Sequence, residues 1–574
     1  MKNTLCLVHW KLKFCILHSA FCITNLFSIP FALFHSHSAN AQDLGDKEYV
    51  IVKDYKPILA ESYKISDSPE PDTSTSTSPV LNYKIIPKKI ETNYEAGVIK
   101  AVKLKDEPIA KLYRSLVKLG IGNYSTTYGE LFVNSVRSKT GSLGLHVKHF
   151  AGSPTLSDVG KAAFSDNTAS VYGNYFLENS TFKGDANYSR NVVHYYGYNE
   201  NDPDLHLTNP DDTKQRFNHF SMNLGLQSNN LRKGDLDYDA QFRFHSMSDL
   251  YDVTENDFTF GFTGGKKVEG KYFSMPLSFD FFKKSMAGFE KLTIHSNLSR
   301  YIISAEPQVK IEDEKFNLLL GLGLGFEKNL TTEAHLFPKA ELSIPIAEHV
   351  LTAFAGINGV IEKNNFKSIT DENPFAVSSV VPINTIHKLT INGGLKGNFS
   401  NTITFNAAVI YDQVDDMQFF YNDSLYQGKF NVLSDDVDVF QLHAEISYMK
   451  NEKLNISLHV DQFSYSPDFQ EQAWHKPNSI VSLIANYNIQ DRIFAKVSLF
   501  AHGNQYARDT TGNLYAEAKK IDGYVDANLG IEYRYTKVLS LYMHLNNLGF
   551  SRYYQWNQYP SERFNLLAGL TYAF

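Results

Sequence analysis

From Leu112 to the end of the sequence, apolar and polar residues alternate with a period of two. In the stretch Val525–Tyr535, every odd-numbered residue is Val, Ala, Leu, Ile or Tyr, and every even-numbered residue is Asp, Asn, Gly, Glu or Arg. This period places the two kinds of side chain on opposite faces of a β-strand. Similar segments of about ten residues recur along the chain, which is long enough for a tilted strand to cross a bilayer. The pattern predicts an all-β chain that crosses a membrane.

The connections between the predicted strands alternate in length, which favours a membrane barrel over a soluble sandwich. The short turns are Ser138–Gly141, Asn230–Gly234, Glu312–Lys315, Asn398–Asn401, Lys450–Lys453, Gln490–Asp491 and Thr536–Lys537. The long polar loops are Gly152–Ser165, Asn199–Lys214, Lys363–Asn384, Gln413–Asp436, Tyr465–Asn478, Asn504–Ile521 and Phe550–Glu562. Counting from Leu112 gives about 22 strands, an even number typical of such barrels, although Phe282–Gln308 can be divided in more than one way. We therefore predict a transmembrane antiparallel β-barrel over residues 112–574.

The first 41 residues have the organisation of a secretory signal peptide. Lysines precede a mostly apolar run, and Ala39 and Ala41 form an A-x-A cleavage site directly before Gln42. All three cysteines of the chain lie in this segment. The exported chain would therefore contain no disulfide and no thiolate metal site.

Composition and motifs argue against several other classes of protein. No later stretch is apolar over the ~18 residues that a transmembrane helix needs. The formal net charge of -7 gives no basic surface for nucleic acid. The sequence contains no G-x-S-x-G, H-E-x-x-H or P-loop motif, so we expect no catalytic residues, no cofactor and no metal site.

The end of the chain resembles TonB-dependent receptors. The segments that carry the resemblance are Leu545–Leu548, Tyr559–Arg563 and Gly569–Phe574. It implies an outer-membrane location, transport of a ligand across that membrane and TonB as a partner. The chain departs from these receptors because only Gln42–Lys111 precedes the barrel, too little for their folded plug domain. With Val52–Leu59 as an opening motif, it is most similar to plugless receptor-like barrels of Bacteroidota.

The short segment of residues 42–111, periplasmic or lumenal, divides into three parts. Near its start, Glu48, Tyr49, Val50, Ile51 and Val52 resemble a TonB box, a strand lent to TonB by β-augmentation. The alternative is a strand that stays within the protein. Residues 66–78 are rich in Ser, Thr and Pro and read as a flexible linker.

The third part, Val80–Lys111, is expected to thread the barrel lumen. Gly321, Gly323 and Gly325 would face inward from one strand and leave room for another backbone to approach. The alternative is that these glycines only relieve crowding in a coiled strand.

The final strand carries an expected barrel-assembly signal. Leu570, Tyr572 and Phe574 face the lipid, and the chain ends on an aromatic residue. This ending resembles the signal read by the barrel-assembly machinery. Outer-membrane lipids and lipopolysaccharide are the other expected partners of the barrel wall.

Three further groups of residues have both a structural and a functional interpretation. The acidic residues of Gln413–Asp438 favour a solvated loop over a calcium site. The aromatic residues Tyr553, Tyr554, Trp556 and Tyr559 favour an interfacial girdle over a ligand platform. The histidines His245, His459 and His544 would face the lumen without an evident carboxylate or serine partner.

Two functions remain open from the sequence. The first is transport of a ligand across the outer membrane by a receptor-like barrel. The second is a non-transporting subunit of an outer-membrane complex for assembly, secretion or nutrient capture. In that case residues 42–111 would dock a periplasmic partner.

Overall fold

A computed structural model describes residues 112–136, 138–198, 213–229, 235–286, 297–329, 331–423, 428–509 and 517–574. Four predicted segments lie outside these residues: the signal peptide with Ala39 and Ala41, the Glu48–Val52 motif, the linker and Val80–Lys111. Predictions about those segments stay predictions.

The described residues form one large antiparallel sheet that closes on itself. Its strands are β1 (Ser115–Gly122), β2 (Thr127–Asn134), β3 (Gly141–Gly152), β4 (Phe164–Phe176), β5 (Ser180–His194), β6 (Lys214–Ser228), β7 (Asp237–Ser248), β8 (Val253–Val268), β9 (Lys271–Met286), β10 (Asn297–Ala305), β11 (Gln308–Glu312), β12 (Asn317–Lys328), β13 (Thr332–Ala347), β14 (Leu351–Glu362), β15 (Thr385–Ser400), β16 (Ile403–Asn422), β17 (Phe430–Lys450), β18 (Leu454–Pro467), β19 (Ser479–Ile489), β20 (Ile493–His502), β23 (Tyr524–Arg534), β24 (Leu539–Asn546) and β27 (Asn565–Ala573).

Pairing of the first and last strands closes the barrel. Leu116 of β1 lies opposite Ala573 of β27, while the other edge of β1 pairs with β2. β10 and β11 continue one another, since both pair with β9 and β12. The interruption falls at Pro307, a residue without the N–H that a ladder needs. The barrel therefore has 22 strands, which confirms the predicted fold class.

The strand bounds of the described residues place the long connections on one side of the barrel, here called the loop side; the other is the turn side. The connection Lys363–Asn384 has the predicted bounds and contains a helix, α1 (Phe366–Glu372). The predicted loop Gln413–Asp436 is wrong, because β16 and β17 extend to Asn422 and Phe430. The predicted loops Asn504–Ile521 and Phe550–Glu562 contain short hairpins. Those hairpins are formed by β21 (Gln505–Asp509) with β22 (Glu517–Ile521), and by β25 (Tyr554–Trp556) with β26 (Tyr559–Pro560).

The outer surface of the barrel carries an apolar belt. On β12, Leu320, Leu322, Leu324 and Phe326 are exposed on the outside, and the residues between them face inward. A continuous exposed apolar belt on a closed barrel is the surface that faces lipid. Among the described residues, no helix is long and apolar enough to cross a membrane.

Candidate functional site

The loop Lys363–Asn384 does not extend away from the barrel but folds across its loop-side mouth. Its residue Phe366 donates a backbone hydrogen bond to Glu255 of β8, and its residue Ala376 forms a parallel bridge with Phe430 of β17. These two strands lie far apart around the barrel wall. The loop therefore spans the mouth, and we call it the cap.

The helix of the cap, α1, is defined by its own sequence. Asn365 is the N-cap residue: its side chain accepts a hydrogen bond from Ser368 N–H at 2.8 Å. The Ser368 hydroxyl in turn accepts from Asn365 N–H at 2.9 Å, which completes a capping box. A helix of two turns is marginal by itself, so its stability depends on what its buried Phe366 and Ile369 contact.

Glu255 anchors the start of α1 to the barrel wall. Its carboxylate accepts hydrogen bonds from the N–H groups of Phe366 at 2.6 Å and Lys367 at 3.0 Å. The side chain is fully buried. The first N–H groups of a helix have no hydrogen-bond partner within that helix, and a negative charge beside its N-terminus is favourable.

Lys363, the first residue of the cap, forms a second ionic anchor. Its Nζ lies 2.8 Å from Asp257 Oδ2 on β8 and 2.8 Å from Asp280 Oδ1 on β9. Burial would lower the pKa of Lys363, but the two carboxylates outweigh burial and raise it. The ammonium group is therefore charged, and it ties the cap to two neighbouring strands.

Two buried basic side chains of the wall hold the cap through its carbonyl groups. Lys284 of β9 donates to Ser378 O at 2.8 Å and also to Val380 O. Arg300 of β10 donates to Pro382 O and to Asn364 O, each at 2.8 Å. Because a buried polar group without a hydrogen-bond partner is costly, these contacts favour one position of the cap backbone over others.

An apolar core completes the contact between cap and barrel. Phe366, Ile369, Ala376, Val377 and Val380 supply the cap side of this core. Barrel strands and the hairpin of β25 and β26 supply the rest of this core: Phe217, Met247, Val253, Met286, Phe420, Phe430, Trp556 and Tyr559. Trp556 and Tyr559 are buried here, so the predicted interfacial girdle is wrong for these two residues.

His475, from the loop between β18 and β19, supports the far side of this core. Its Nδ1–H donates to Phe420 O at 2.9 Å, and its Nε2 accepts from Asn557 N–H at 3.3 Å. Burial lowers the pKa of His475 to about 4. The neutral imidazole therefore joins three segments of the loop side.

The structure places the other predicted site residues on the barrel wall. Gly321, Gly323 and Gly325 face the inside, where a Cβ at Gly323 would lie 3.1 Å from the Phe337 side chain. Leu570, Tyr572 and Phe574 are exposed on the outside of the barrel, near the turn-side end of the closing strand. Whether they direct assembly stays a prediction.

Two expectations about charged residues need correction. Lumen histidines do have carboxylate neighbours: His245 Nε2 lies 3.7 Å from Glu255 Oε1, and His459 Nδ1 lies 3.8 Å from Glu445 Oε2. Five of the six aspartates of Gln413–Asp438 lie on β16 or β17, all except Asp423, and Asp435 accepts the N–H groups of Phe469 and Gln470. Among the residues that the structure describes, no cluster of His, Cys, Asp and Glu could hold a metal ion.

Sequence reasoning did not identify the wall residues that hold the cap. A signal was present, since Glu255, Asp257, Lys284 and Arg300 are charges on inward positions near the loop-side ends of strands. Charges at such positions indicate a buried polar partner inside the barrel mouth.

Solved structures provide a comparison for this capped barrel. The iron transporter FrpB from Neisseria meningitidis matches with a TM-score of 0.63 and 11% identity, over 81% of this chain and 82% of that chain. The fold is that of outer-membrane receptor barrels. The siderophore receptor PirA from Acinetobacter baumannii matches with a TM-score of 0.61 and 10% identity, over 82% of this chain and 81% of that chain. The copper transporter OprC matches with a TM-score of 0.60 and 13% identity, over 82% of each chain.

Comparison at the level of sequence gives no relative. No protein-family model matches the chain, and no curated protein matches it. The likeness to the solved structures therefore concerns the fold.

Proposed function

We propose that this protein is an outer-membrane transporter in which the cap is a closed gate on the external face. The observation that carries the proposal is the cap itself, a loop held across the mouth by Glu255, Lys363, Lys284 and Arg300. Long loops of outer-membrane barrels lie outside the cell, so the cap faces the exterior.

Two further arguments support transport. A barrel of 22 strands is too wide to be filled by its own wall side chains, so it encloses a passage that needs a closure. The similar structures include an iron transporter, a siderophore receptor and a copper transporter. This comparison suggests that the cargo is a ligand taken from the medium, with or without a bound metal.

The proposal extends to energy coupling. TonB would bind Glu48–Val52, and residues 42–111 would serve as plug, gate or coupling arm. Both parts rest on the resemblance of the sequence to TonB-dependent receptors. The receptor-like barrels of Bacteroidota that lack a plug are the group that the sequence suggests for this chain.

Conductance in planar lipid bilayers tests the gate. The intact protein is compared with a variant whose residues 366–380 are replaced by a Gly/Ser linker of equal length. We expect low conductance from the intact barrel and large, long-lived openings from the variant. A third protein, which also lacks residues 42–111, separates closure by the cap from closure by the N-terminal segment.

Two results would contradict the proposal. High conductance of the intact protein would mean that the cap does not close the barrel. Co-purification of the native protein with stoichiometric partners, lost on deletion of residues 42–111, would favour the role of a complex subunit.

A further inference from the structure

The ladder between β13 and β14 stops halfway up the barrel wall. The two strands pair from Ala347 and Leu351 at the turn side to Ala340 and Ile357. Beyond that point, residues 332–339 pair only with β12, and residues 358–362 pair only with β15. We call this unpaired boundary the seam.

A proline and a glycine account for the position of the seam. Leu322 of β12 donates its N–H to Pro307 O, away from β13, and it lies opposite Pro338. Because successive residues of a strand bond to opposite neighbours, the backbone of Pro338 points toward β14. Pro338 has no N–H to donate there. The register between β14 and β15 also shifts beside Gly359, because two residues of β15, Lys388 and Leu389, lie opposite this single residue in a β-bulge.

Apolar side chains, rather than backbone hydrogen bonds, close the seam on its inner side. Phe337 is only 6% exposed. A Cβ added at Gly359 would lie 2.5 Å from Phe337 Cδ1, and one added at Gly325 would lie 2.6 Å from Ile361 Cδ1. Dispersion contacts of this kind can be exchanged for contacts with another apolar group without breaking a ladder.

The seam opens within the apolar belt. On its outer side, Leu336 is 65% exposed and Phe326 of the neighbouring strand is 52% exposed; across the seam, Val360 of β14 is 47% exposed. On its inner side, His335 Nε2 lies 3.2 Å from Glu327 Oε1. The seam thus separates a polar group inside the barrel from hydrocarbon outside it.

The seam is also joined to the cap. β14 ends at Glu362, and the cap begins with the next residue, Lys363. The last residues of β14 are free of β13, so they can follow a movement of the cap without breaking bonds to that strand. Release of the cap would then loosen Ile361 from its contact beside Gly325.

We propose that the seam is a lateral portal through which an amphiphile with a hydrocarbon chain passes between the barrel interior and the outer leaflet of the membrane. The chain of the amphiphile would replace Phe337 and Ile361 between the strands, and its polar end would face the His335–Glu327 pair. This inference rests on the proposed transport function and names a class of ligand for it.

A cross-linking experiment in proteoliposomes tests the portal. Leu336→Cys with Val360→Cys places one thiol on each side of the seam, and a flexible bismaleimide joins them. The matched control is Leu342→Cys with Ala355→Cys, a pair that lies opposite in the bonded part of the same two strands. The three native cysteines lie in the predicted signal peptide, outside the exported chain.

The probe is a long-chain fatty acid with an environment-sensitive fluorophore, and its transfer from the barrel to the membrane is followed by stopped flow. We expect the seam cross-link to reduce transfer to the level of protein-free liposomes and the control cross-link to leave it unchanged. Phe337→Ala should accelerate transfer. Equal transfer with and without the seam cross-link would overturn the proposal.

A photo-reactive residue at position 336 in native membranes identifies a competing role. Labelling of lipid alone excludes a partner strand at this edge and leaves it open to hydrocarbon, as the portal requires. A stoichiometric adduct with another protein would mean that residues 332–339 pair with a partner strand, and would overturn the proposal. Conductance separates this inference from the gate. The seam cross-link should leave the conductance of the linker variant unchanged, so the gate and the portal can fail independently.

Discussion

Replacing Glu255 by Gln should release the start of α1 without removing the side chain. Glu255 uses both carboxylate oxygens, one for Phe366 N–H at 2.6 Å and one for Lys367 N–H at 3.0 Å. An amide of the same shape can accept only one of these hydrogen bonds, and it carries no charge. Its NH2 group would face the second N–H, donor against donor.

The magnitude follows from these two contacts. A hydrogen bond to a charged group contributes about 1.5–3 kcal/mol, against about 1 kcal/mol for a neutral one. Loss of one such bond and weakening of the other should destabilise the attachment of α1 by about 2 kcal/mol. That corresponds to about a 30-fold larger population in which the helix is released.

Hydrogen exchange measured by mass spectrometry, with the barrel in detergent, provides the assay. Peptides that cover α1 should exchange about 30-fold faster in Glu255→Gln, and peptides from β19 and β20 should be unchanged. Glu445→Gln is the matched control, since Glu445 lies on the wall strand β17 and its carboxylate contacts Ser447 and His459. If α1 exchanges at the same rate in a folded Glu255→Gln barrel, the carboxylate does not hold the cap.

Three further predictions concern the cap and the closing strand. Lys363→Met removes the ammonium partner of the wall carboxylates Asp257 and Asp280 and should cost about 3–5 kcal/mol in thermal unfolding. Lys367→Met, at an exposed helix pair, should cost less than about 1 kcal/mol, and equal effects would mean that Lys363 is not an anchor. The folded pKa of His475 is lowered to about 4 from the ordinary 6.5, so the unfolded chain binds more protons between these values. Stability should therefore fall by at most about 3 kcal/mol as pH falls through this window, and His475→Gln should remove that slope in a pH series of unfolding curves. Deletion of Phe574 should reduce the folded fraction in the outer membrane, measured by the heat-dependent shift in gel mobility, and an unchanged fraction would count against an assembly signal in the last strand.

The alternation of residues was sufficient to predict the barrel because each strand obeys a local rule. Val525 is 68% exposed and its neighbour Asp526 is 3% exposed, as the period of two requires. The bounds of the cap, Lys363–Asn384, were also predicted, because apolar alternation stops at the first residue and resumes after the last. The prediction of strand ends was less accurate where polar residues continue a strand beyond the membrane. The six aspartates of Gln413–Asp438 indicated a loop, yet this part of β16 and β17 is extended, and Phe420 and Phe430 at its end are buried against the cap.

The sequence by itself determined that this chain forms a closed membrane barrel, because the period of a strand and the length of a bilayer crossing are local properties. Only the tertiary structure decided that the cap folds inward. Its anchors come from distant strands: Glu255 and Phe366 are 111 positions apart, and Lys284 and Ser378 are 94 positions apart. The position of the seam depends on both the sequence and the tertiary structure. Pro338 is visible in the sequence, but the direction of its missing N–H depends on the register with β12, which long-range pairing alone establishes.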